Sequence, residues 1–187
     1  MLEFLPPINE KKRFNNLLMF EKKPIAKINL RGISSNKDFN DKVIKILGIA
    51  PLVQVGSIVF NKEISVLTTG PNEWIIVSNN TTKEDNNDYQ LENILYENIS
   101  KNNLGAVTNI TDQFTVFSLS GSNIFEVLSK SSPFNFDTLL NNSSAQTLLN
   151  NIDVTIIKKD NENVDLFVRR SFSEHLWLWL NDSARFV

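Results

Sequence analysis

The feature that most constrains the fold of this chain is a pattern that occurs twice along the sequence. A predicted strand ends at Leu30-Arg31-Gly32, and Leu119-Ser120-Gly121 marks the same point in a second copy of the pattern. Each copy is predicted as a strand, a Gly-containing turn, a helix, further strands and a second helix. The sequence therefore predicts an internal duplication of the α+β class, two similar β-α-β-β-α halves with helices on one side of mostly antiparallel sheets.

This duplication also predicts the domain organisation. A length of 187 residues suits one domain, or one compact body made of two similar halves. Residues 1–24 are predicted to be an irregular N-terminal lead, because Pro6-Pro7 and a run of charges resist a regular element. The first half is predicted to cover residues 25–105 and the second half residues 106–187.

The individual elements are predicted from apolar spacing and from turn residues. Ser35 is the predicted N-cap of the first helix, and Gly48 ends that helix. Residues 79–88 are polar and are predicted to form a surface loop. Helices are predicted at 36–47, 89–99 and 123–130 and at the C-terminus. Strands are predicted at 25–30, 57–60, 64–68, 73–78, 107–110, 114–119, 145–149, 154–158 and 164–168.

Residues 168–180 are predicted to be a strand that runs straight into the C-terminal helix. Ser171 and Glu174 have the spacing of a capping box, in which each side chain bonds a free backbone N–H at the helix start. Trp177 and Leu178 fall outside the main apolar stripe, so the helix is apolar on more than one side. Its second side is covered either by the chain's own core or by a partner subunit. The main stripe comprises Phe172, Leu176, Trp179 and Leu180.

The candidate partner interface lies in this same stretch. Aromatic residues and arginine are enriched at interface hot spots, whereas Trp74 is predicted to be a core residue. An arginine can bind a carboxylate or a phosphate through two parallel hydrogen bonds. Two successive arginines on a strand point to opposite faces, so a structural ion pair is the stronger expectation for them. The candidate interface residues are Trp177, Leu178, Arg169 and Arg170.

Composition excludes several classes of function. The chain has no Cys, which excludes disulfides, thiol nucleophiles and zinc–cysteine sites within it. Its net charge is -2 and its longest basic run is Lys11-Lys12-Arg13, so a nucleic-acid partner is not expected. With 6 Gly and no glycine-rich phosphate-binding motif, the chain is not expected to bind a cofactor or a metal by itself.

Catalytic groups are sparse in the sequence. His175 is the single histidine and is interpreted as a partly exposed helix residue rather than a base. Glu73, Asp112 and Asp137 are isolated carboxylates near strand ends, for which a loop or capping role is expected. Asp165 is assigned to the flank of a polar, solvated hairpin. No catalytic residue is therefore predicted.

Targeting signals are also absent from the sequence as given. The N-terminal region has one apolar run of four residues, Leu17-Leu18-Met19-Phe20, which is too short for a signal-peptide core or a membrane span. We expect a cytoplasmic protein with no membrane partner.

Five groups of motifs follow one another along the chain. They are Arg31-Gly32 with Phe39, Leu47-Gly48 and Pro51; Gly70-Pro71-Asn72-Glu73-Trp74-Ile75-Ile76; Leu119-Ser120-Gly121 with Val127-Leu128-Ser129-Lys130 and Pro133; Ala145-Gln146-Thr147-Leu148-Leu149; and Asp165-Leu166-Phe167-Val168-Arg169-Arg170-Ser171-Phe172 with Leu176-Trp177-Leu178-Trp179-Leu180. In order and spacing these motifs resemble the gamma subunit of heterotetrameric sarcosine oxidase. The resemblance runs from about residue 25 to residue 184, and its most specific part is the C-terminal stretch.

This resemblance implies a fold similar to the folate-binding domain of aminomethyltransferases such as the glycine-cleavage T protein. It also implies a non-catalytic subunit of an oxidase that converts sarcosine to glycine, with hydrogen peroxide and methylenetetrahydrofolate as products. The expected partners are the alpha, beta and delta subunits of that complex. The complex is expected to use FAD, FMN, NAD and tetrahydrofolate, with no cofactor in this chain.

Two alternatives remain open at the level of the sequence. The chain could be the small subunit of a related complex that oxidises another N-methyl amino acid, such as N-methylglutamate or dimethylglycine. It could also be a stand-alone folate-binding protein, which would need an open pocket with a carboxylate facing the pterin.

Overall fold

The computed structural model describes residues 5–81 and 89–187, with the side chains of residues 79–81 left aside. The strands are β1 (Lys11–Phe14), β2 (Leu17–Glu21), β3 (Ile25–Gly32), β4 (Ile58–Phe60), β5 (Ile64–Gly70), β6 (Glu73–Thr81), β7 (Gly105–Asn109), β8 (Phe114–Ser120), β9 (Ser143–Leu149), β10 (Ile152–Asp160) and β11 (Asn163–Arg169). The α-helices are α1 (Lys37–Leu47), α2 (Gln90–Leu95), α3 (Ile124–Ser129) and α4 (Ser173–Ala184). A π-helical turn, Tyr96–Ser100, extends α2, and 3-10 turns lie at Thr111–Gln113, Phe136–Thr138 and Arg170–Phe172.

The strands form two antiparallel sheets. Sheet A has the order β1-β2-β8-β11-β10-β9, and sheet B has the order β4-β5-β6-β3-β7. Read from β9 inward, the order β9-β10-β11-β8-β2 repeats the order β4-β5-β6-β3-β7 of sheet B strand for strand. This match confirms the predicted α+β fold of two similar halves.

The strand that leads into each half pairs with the sheet of the other half. β2 precedes β3 in sequence but pairs with β8, and β7 precedes β8 but pairs with β3. The chain accordingly divides into one compact unit of residues 24–111 and a second of residues 1–23 with 112–187. These boundaries differ from the predicted halves at 25–105 and 106–187, because local sequence does not show which sheet a connecting strand joins. The expectation of one compact body stays a prediction.

The N-terminal lead forms a hairpin over residues 11–21, which corrects the prediction of an irregular segment there. β1 and β2 form an antiparallel hairpin with Lys11 opposite Phe20. In β2, Leu17 and Met19 are buried in the core of sheet A, whereas Leu18 between them is half-buried. This alternation with period two is typical of a strand. The apolar run Leu17-Leu18-Met19-Phe20 is too short for a membrane span or a signal peptide, but it is long enough for a strand.

The core of the unit that contains sheet B confirms most of the predictions for α1. Phe39, Val43 and Leu47 are buried, and Gly48 adopts the left-handed conformation at φ 69° that ends the helix. The N-cap is Asn36, whose side chain accepts a hydrogen bond from the Phe39 N–H, and not Ser35 as predicted. Trp74 is buried against Phe39, as the sequence predicted. In the predicted loop 79–88, β6 continues to Thr81 and residues 82–88 lie outside the described residues.

The core of the other unit lies between sheet A and the helices α3 and α4. The buried residues of α3 are all apolar and fully enclosed, and they are Ile124, Val127 and Leu128. The sheet contributes the inward side chains of β8, β10 and β11. Helix α4 follows β11 after the 3-10 turn Arg170–Phe172 and packs on the sheet to which β11 belongs.

Candidate functional site

The C-terminal helix begins one residue later than its sequence predicts. Residues Arg170–Phe172 form a 3-10 turn, and α4 starts at Ser173 with Phe172 as N-cap and no side-chain capping bond. The predicted capping box of Ser171 and Glu174 is therefore wrong. The 3-10 turn moves Ser171 out of the N-cap position, and it leaves the Ser173 hydroxyl buried with no hydrogen-bond partner.

Two of the four residues in the predicted stripe, Leu176 and Leu180, are buried, but the buried side of α4 also includes Trp177. Trp177 is 3% exposed, its ring packs 5.3 Å from that of Phe117, and its indole N–H lies 3.4 Å from a carboxylate oxygen of Glu10. Phe172, predicted to be in the main stripe, is 48% exposed. Trp177 is thus a core residue of this chain, which corrects its assignment to a partner interface. The buried positions of α4 are Ser173, Leu176, Trp177, Leu180, Ser183 and Ala184.

Leu178, the second predicted interface residue of α4, is exposed to solvent. Its exposed fraction is 63%, although it follows a buried tryptophan. On the same side of α4, one turn away in each direction, Glu174 and Asp182 are exposed and charged. Leu178 is therefore a single large apolar side chain held in solvent on a rigid helix.

The two arginines occupy different kinds of backbone. Arg169 ends β11 and is exposed, and its guanidinium lies 5.9 Å from the centre of the Phe114 ring. Arg170 belongs to the 3-10 turn and donates a hydrogen bond to the Leu5 carbonyl. Burial raises the pKa of Glu21, whereas the Ile8 N–H and the charge of Arg170 act in the opposite direction. Arg170 thus holds the N-terminal segment in place through the Leu5 carbonyl. Because Arg170 lies outside β11, the two arginines are not successive strand residues that face opposite sides of the sheet.

Arg169 also borders an open groove on sheet A. The register of β10 and β11, with Val154 opposite Val168, places Asp153 opposite Arg169, yet these two charges form no ion pair. A planar cation stacked on an aromatic ring is suited to a carboxylate ligand. The groove is lined by Phe114, Gln146, Thr147, Leu148, Asp153, Val154, Thr155, Phe167 and Arg169.

The isolated carboxylates and the histidine do not assemble into a catalytic group. Glu73 accepts hydrogen bonds from Asn29 at 2.6 Å and from Arg31 at 2.9 Å. Burial by itself raises the pKa of Glu73, but these two bonds and the charge of Arg31 together lower it below the ordinary value. His175 lies 3.1 Å from the Asn150 side chain. Over residues 5–81 and 89–187, no three His, Asp or Glu side chains cluster closely enough to hold a metal ion.

A buried charge cluster escaped the sequence interpretation. Asp165 is 5% exposed on β11, and one of its oxygens lies 2.8 Å from both the Lys22 and the Lys159 ammonium groups. Its assignment to a solvated hairpin flank is wrong. The predicted strand at 164–168 was the available signal, because it includes Asp165, and every residue in that range is buried.

Gly105 and Gly121 lie where two backbones approach closely. A side chain at Gly105 would overlap the Arg31 carbonyl oxygen, and one at Gly121 would overlap the Asn16 carbonyl oxygen. A phosphate cradle needs backbone N–H groups that are open to the ligand. These glycines instead let neighbouring strands approach each other, so they serve the packing of each sheet.

The sequence of this chain matches a known protein family. The family model described as "Sarcosine oxidase, gamma subunit family" matches residues 31–185, which spans both halves of the duplication. The chain belongs to this family. Membership of the sarcosine oxidase gamma subunit family confirms the resemblance inferred from the motifs.

Solved structures show the same fold. A chain of heterotetrameric sarcosine oxidase from Corynebacterium sp. U-96 is similar with a TM-score of 0.79 at 22% identity, covering 90% of this chain and 83% of that one. Aminomethyltransferase T of the glycine cleavage system from Bartonella henselae is similar with a TM-score of 0.63 at 13% identity, covering 91% of this chain and 46% of that one. No curated protein sequence matches the chain. Within the described residues, none of the helices combines the length and apolar character needed to cross a membrane.

Proposed function

We propose that this chain is the non-catalytic gamma subunit of a sarcosine oxidase complex. The observation that carries the proposal is the family match over residues 31–185. The scattered placement of His175 and of the carboxylates supports a role in assembly, because acid–base catalysis needs such groups within hydrogen-bond reach of one another.

In this proposal the chemistry takes place on other subunits, in the cytoplasm. The complex oxidises sarcosine to glycine and produces hydrogen peroxide and methylenetetrahydrofolate. Flavin chemistry belongs to the beta subunit, and the alpha subunit carries the NAD and folate sites, so FAD, FMN, NAD and tetrahydrofolate are cofactors of the complex. This chain would assemble with the alpha, beta and delta subunits.

The proposed contact includes Leu178 and Arg169. Leu178 is a large apolar side chain at 63% exposure, next to the buried Trp177 on the same helix. Arg169 is exposed with its guanidinium over Phe114. Both offer contact area at little cost in conformational freedom, since a helix and a ring hold them in place. Arg170 is assigned to positioning the N-terminal segment.

The proposal is tested by assembling the complex with and without this chain. The four subunits are co-expressed with an affinity tag on the beta subunit, and the eluate is assayed for this chain and for sarcosine-dependent hydrogen peroxide. We expect this chain to co-purify and its omission to reduce the yield or stability of the flavoprotein. A fully stable and active complex of the other subunits, with no binding of this chain, would contradict the proposal.

The substrate of the complex is a separate question, because the substrate site lies on another subunit. A panel of sarcosine, dimethylglycine and N-methylglutamate offered to the purified complex distinguishes sarcosine oxidase from a related oxidase or dehydrogenase. The similarity in fold to aminomethyltransferase T also favours a test of folate binding. Tetrahydrofolate titrated into the isolated chain should give no saturable signal, whereas saturable binding would favour the stand-alone folate-binding protein.

A further inference from the structure

The open groove on sheet A is built from two neighbouring rows of side chains on one face of the sheet. Strand pairing brings the first row together from four strands, as Phe114, Arg169, Asp153 and Leu148. The second row comes from β11, β10 and β9, as Phe167, Thr155 and Gln146. Val154 and Val168 alternate with these residues and belong to the core under the helices, so both rows lie on the opposite face.

The groove has the size and the lining of a small-molecule site. Its volume is about 490 Å³, within the range of roughly 300–1,000 Å³ that is typical of ligand pockets. Phe167 forms an apolar base at 2% exposure, and Leu148 is 38% exposed at the β9 side. Thr155 and Gln146 add a hydroxyl and an amide. Ligand sites typically combine apolar walls with a few polar groups that fix the orientation of the ligand.

Two opposite charges border the groove without neutralising each other. Arg169 and Asp153 are both exposed, and neither forms an ion pair within residues 5–81 and 89–187. The Arg169 guanidinium lies 5.9 Å from the centre of the Phe114 ring. Phe114 belongs to β8, which pairs with β11 on the side away from β10 and Asp153. The aromatic ring therefore attracts the cation to one side of the groove and leaves the carboxylate on the other.

This arrangement is not part of the plan that the two sheets share. Counting back equally from Gly32 and Gly121 places Ile25 of sheet B where sheet A has Phe114. Ile25 pairs with Thr81, whereas Phe114 pairs with Arg169. Sheet B thus has neither the aromatic ring nor the cation at the corresponding place. Because the same fold forms there without them, the charged groove is a feature of sheet A alone.

We propose that this groove binds a small zwitterion, an amino acid with an apolar side chain. Arg169 donates two parallel hydrogen bonds to the carboxylate of the ligand, and Asp153 accepts hydrogen bonds from its ammonium group. The apolar side chain of the ligand packs on Phe167 and Leu148. The inference is independent of the proposed function, since every group that it uses belongs to this chain.

The extent of the groove favours a small molecule over a protein partner. Nine residues line it, whereas a stable protein interface takes about 20–30 residues from each side. A ligand with one charge would leave either Arg169 or Asp153 unpaired at the site. A zwitterion pairs both, which is why the ligand carries an ammonium group as well as a carboxylate.

The test is a titration of the full chain, followed through its backbone amide signals by NMR. Because Arg169 also belongs to the proposed partner contact, the chain is used free of the other subunits. The probes are leucine, valine and phenylalanine, and for the tightest of these the corresponding carboxylic acid without the ammonium group and the amine without the carboxylate. We expect saturable shifts in β9, β10 and β11, and at least about tenfold weaker binding of each one-charge analogue.

Matched variants test the two charges separately. Arg169→Leu and Asp153→Asn should each raise the Kd of the tightest amino acid by about tenfold or more. Arg185→Leu and Asp137→Asn change exposed residues of the same unit outside the groove, and should change the Kd by less than about twofold. Thermal unfolding of Asp153→Asn should match that of the wild type, because the residue is exposed.

Three results would overturn the proposal. They are the lack of saturable shifts with all three amino acids, equally tight binding of the carboxylic acid that lacks the ammonium group, and unchanged binding in Asp153→Asn. None of them bears on whether the chain co-purifies with the oxidase subunits, so the proposed function is judged separately.

Discussion

At the scale of residues, a glycine permits close backbone approach at the corresponding junction of each sheet, on the exchanged strand in sheet B and at the end of the central strand in sheet A. Gly105, at the start of β7, lies opposite Gly32 at the end of β3. Gly121 follows the end of β8 and lies against the carbonyl of Asn16 and the backbone of Leu17. In both cases the last residues of a central strand meet the first residues of the exchanged strand. The close approach of two backbones is what requires glycine there.

Gly105→Ala should destabilise the chain. The new Cβ would overlap the Arg31 carbonyl oxygen, which is backbone and cannot rotate away. We expect a loss of about 1–3 kcal/mol in the free energy of unfolding, measured by urea denaturation. Gly70→Ala is the matched control, because its Cβ would lie 3.5 Å from the nearest atom, an ordinary contact with Glu73. Equal stability of the two variants would contradict the assignment.

Trp177→Ala should destabilise the isolated chain, which reverses the expectation based on an interface role. Trp177 is 3% exposed and packs against Phe117, so its truncation should cost about 3–5 kcal/mol. Leu178→Asp, at the next residue, should leave the unfolding midpoint of the lone chain nearly unchanged and weaken binding to the complex. Thermal unfolding of both variants decides this, and an unaffected Trp177→Ala midpoint would argue against a core role.

At the scale of elements, polar side chains of the neighbouring strands β3 and β6 form a hydrogen-bonded network on sheet B. Asn29 and Arg31 both contact one oxygen of Glu73 across the strand pair. These residues alternate with Ile28, Leu30 and Trp74, which face the core. The network therefore lies on the sheet face opposite to the helices. Sequence alone classed Glu73 as an isolated carboxylate because its partners are more than forty residues away along the chain.

This network makes part of the stability depend on pH. The pKa of Glu73 in the folded chain lies below its ordinary value of 4.5, so the folded state favours the ionised form. Its contribution is present above about pH 4.5 and is lost as the pH falls through the folded pKa. Because Glu73 and Arg31 are partly exposed, the contribution should be below about 1 kcal/mol.

Glu73→Gln should flatten this pH dependence. The variant should lose less stability than the wild type between about pH 6 and about pH 3, since the amide does not titrate. Chemical denaturation at several pH values measures the difference. Glu63→Gln, at an exposed residue of the same unit, is the control. Parallel curves for the wild type and Glu73→Gln would show that the network does not contribute.

At the scale of the whole molecule, the exchanged strands make each unit depend on a distant part of the chain. β2 supplies Leu17 and Met19 to the core of sheet A, and β8 pairs with β2 through Met19 opposite Leu119. The contacts of β2 with β8 join segments about a hundred residues apart. Closing so long a loop is costly in entropy, and buried apolar area must offset that cost.

Met19→Ala should therefore weaken the whole of sheet A and not the N-terminal hairpin alone. Met19 is fully buried, so we expect a loss of about 2–5 kcal/mol together with faster hydrogen exchange in β8. Leu18→Ala changes the neighbouring half-buried residue on the opposite face and should cost clearly less. If β8 exchange were unchanged in Met19→Ala, the hairpin would be an accessory element.

Local sequence was sufficient for the parts of this protein that depend on near neighbours. The duplication, the α+β class, helix α1 with Gly48 at its end, and the burial of Trp74 all follow from apolar spacing and turn residues within a few positions. The family resemblance depended on the order of such local motifs, and the match over residues 31–185 confirms it.

Only the tertiary structure decided which sheet the leading strands join, where α4 begins and which of its sides is buried. Strand pairing is a contact between segments distant in sequence, and period-two alternation is the same in either sheet. Within the continuous helix α4, Trp177 packs on Phe117 of β8, whereas Leu178 is exposed to solvent. Both residues are large and apolar, so only packing against β8 settles which of them is core.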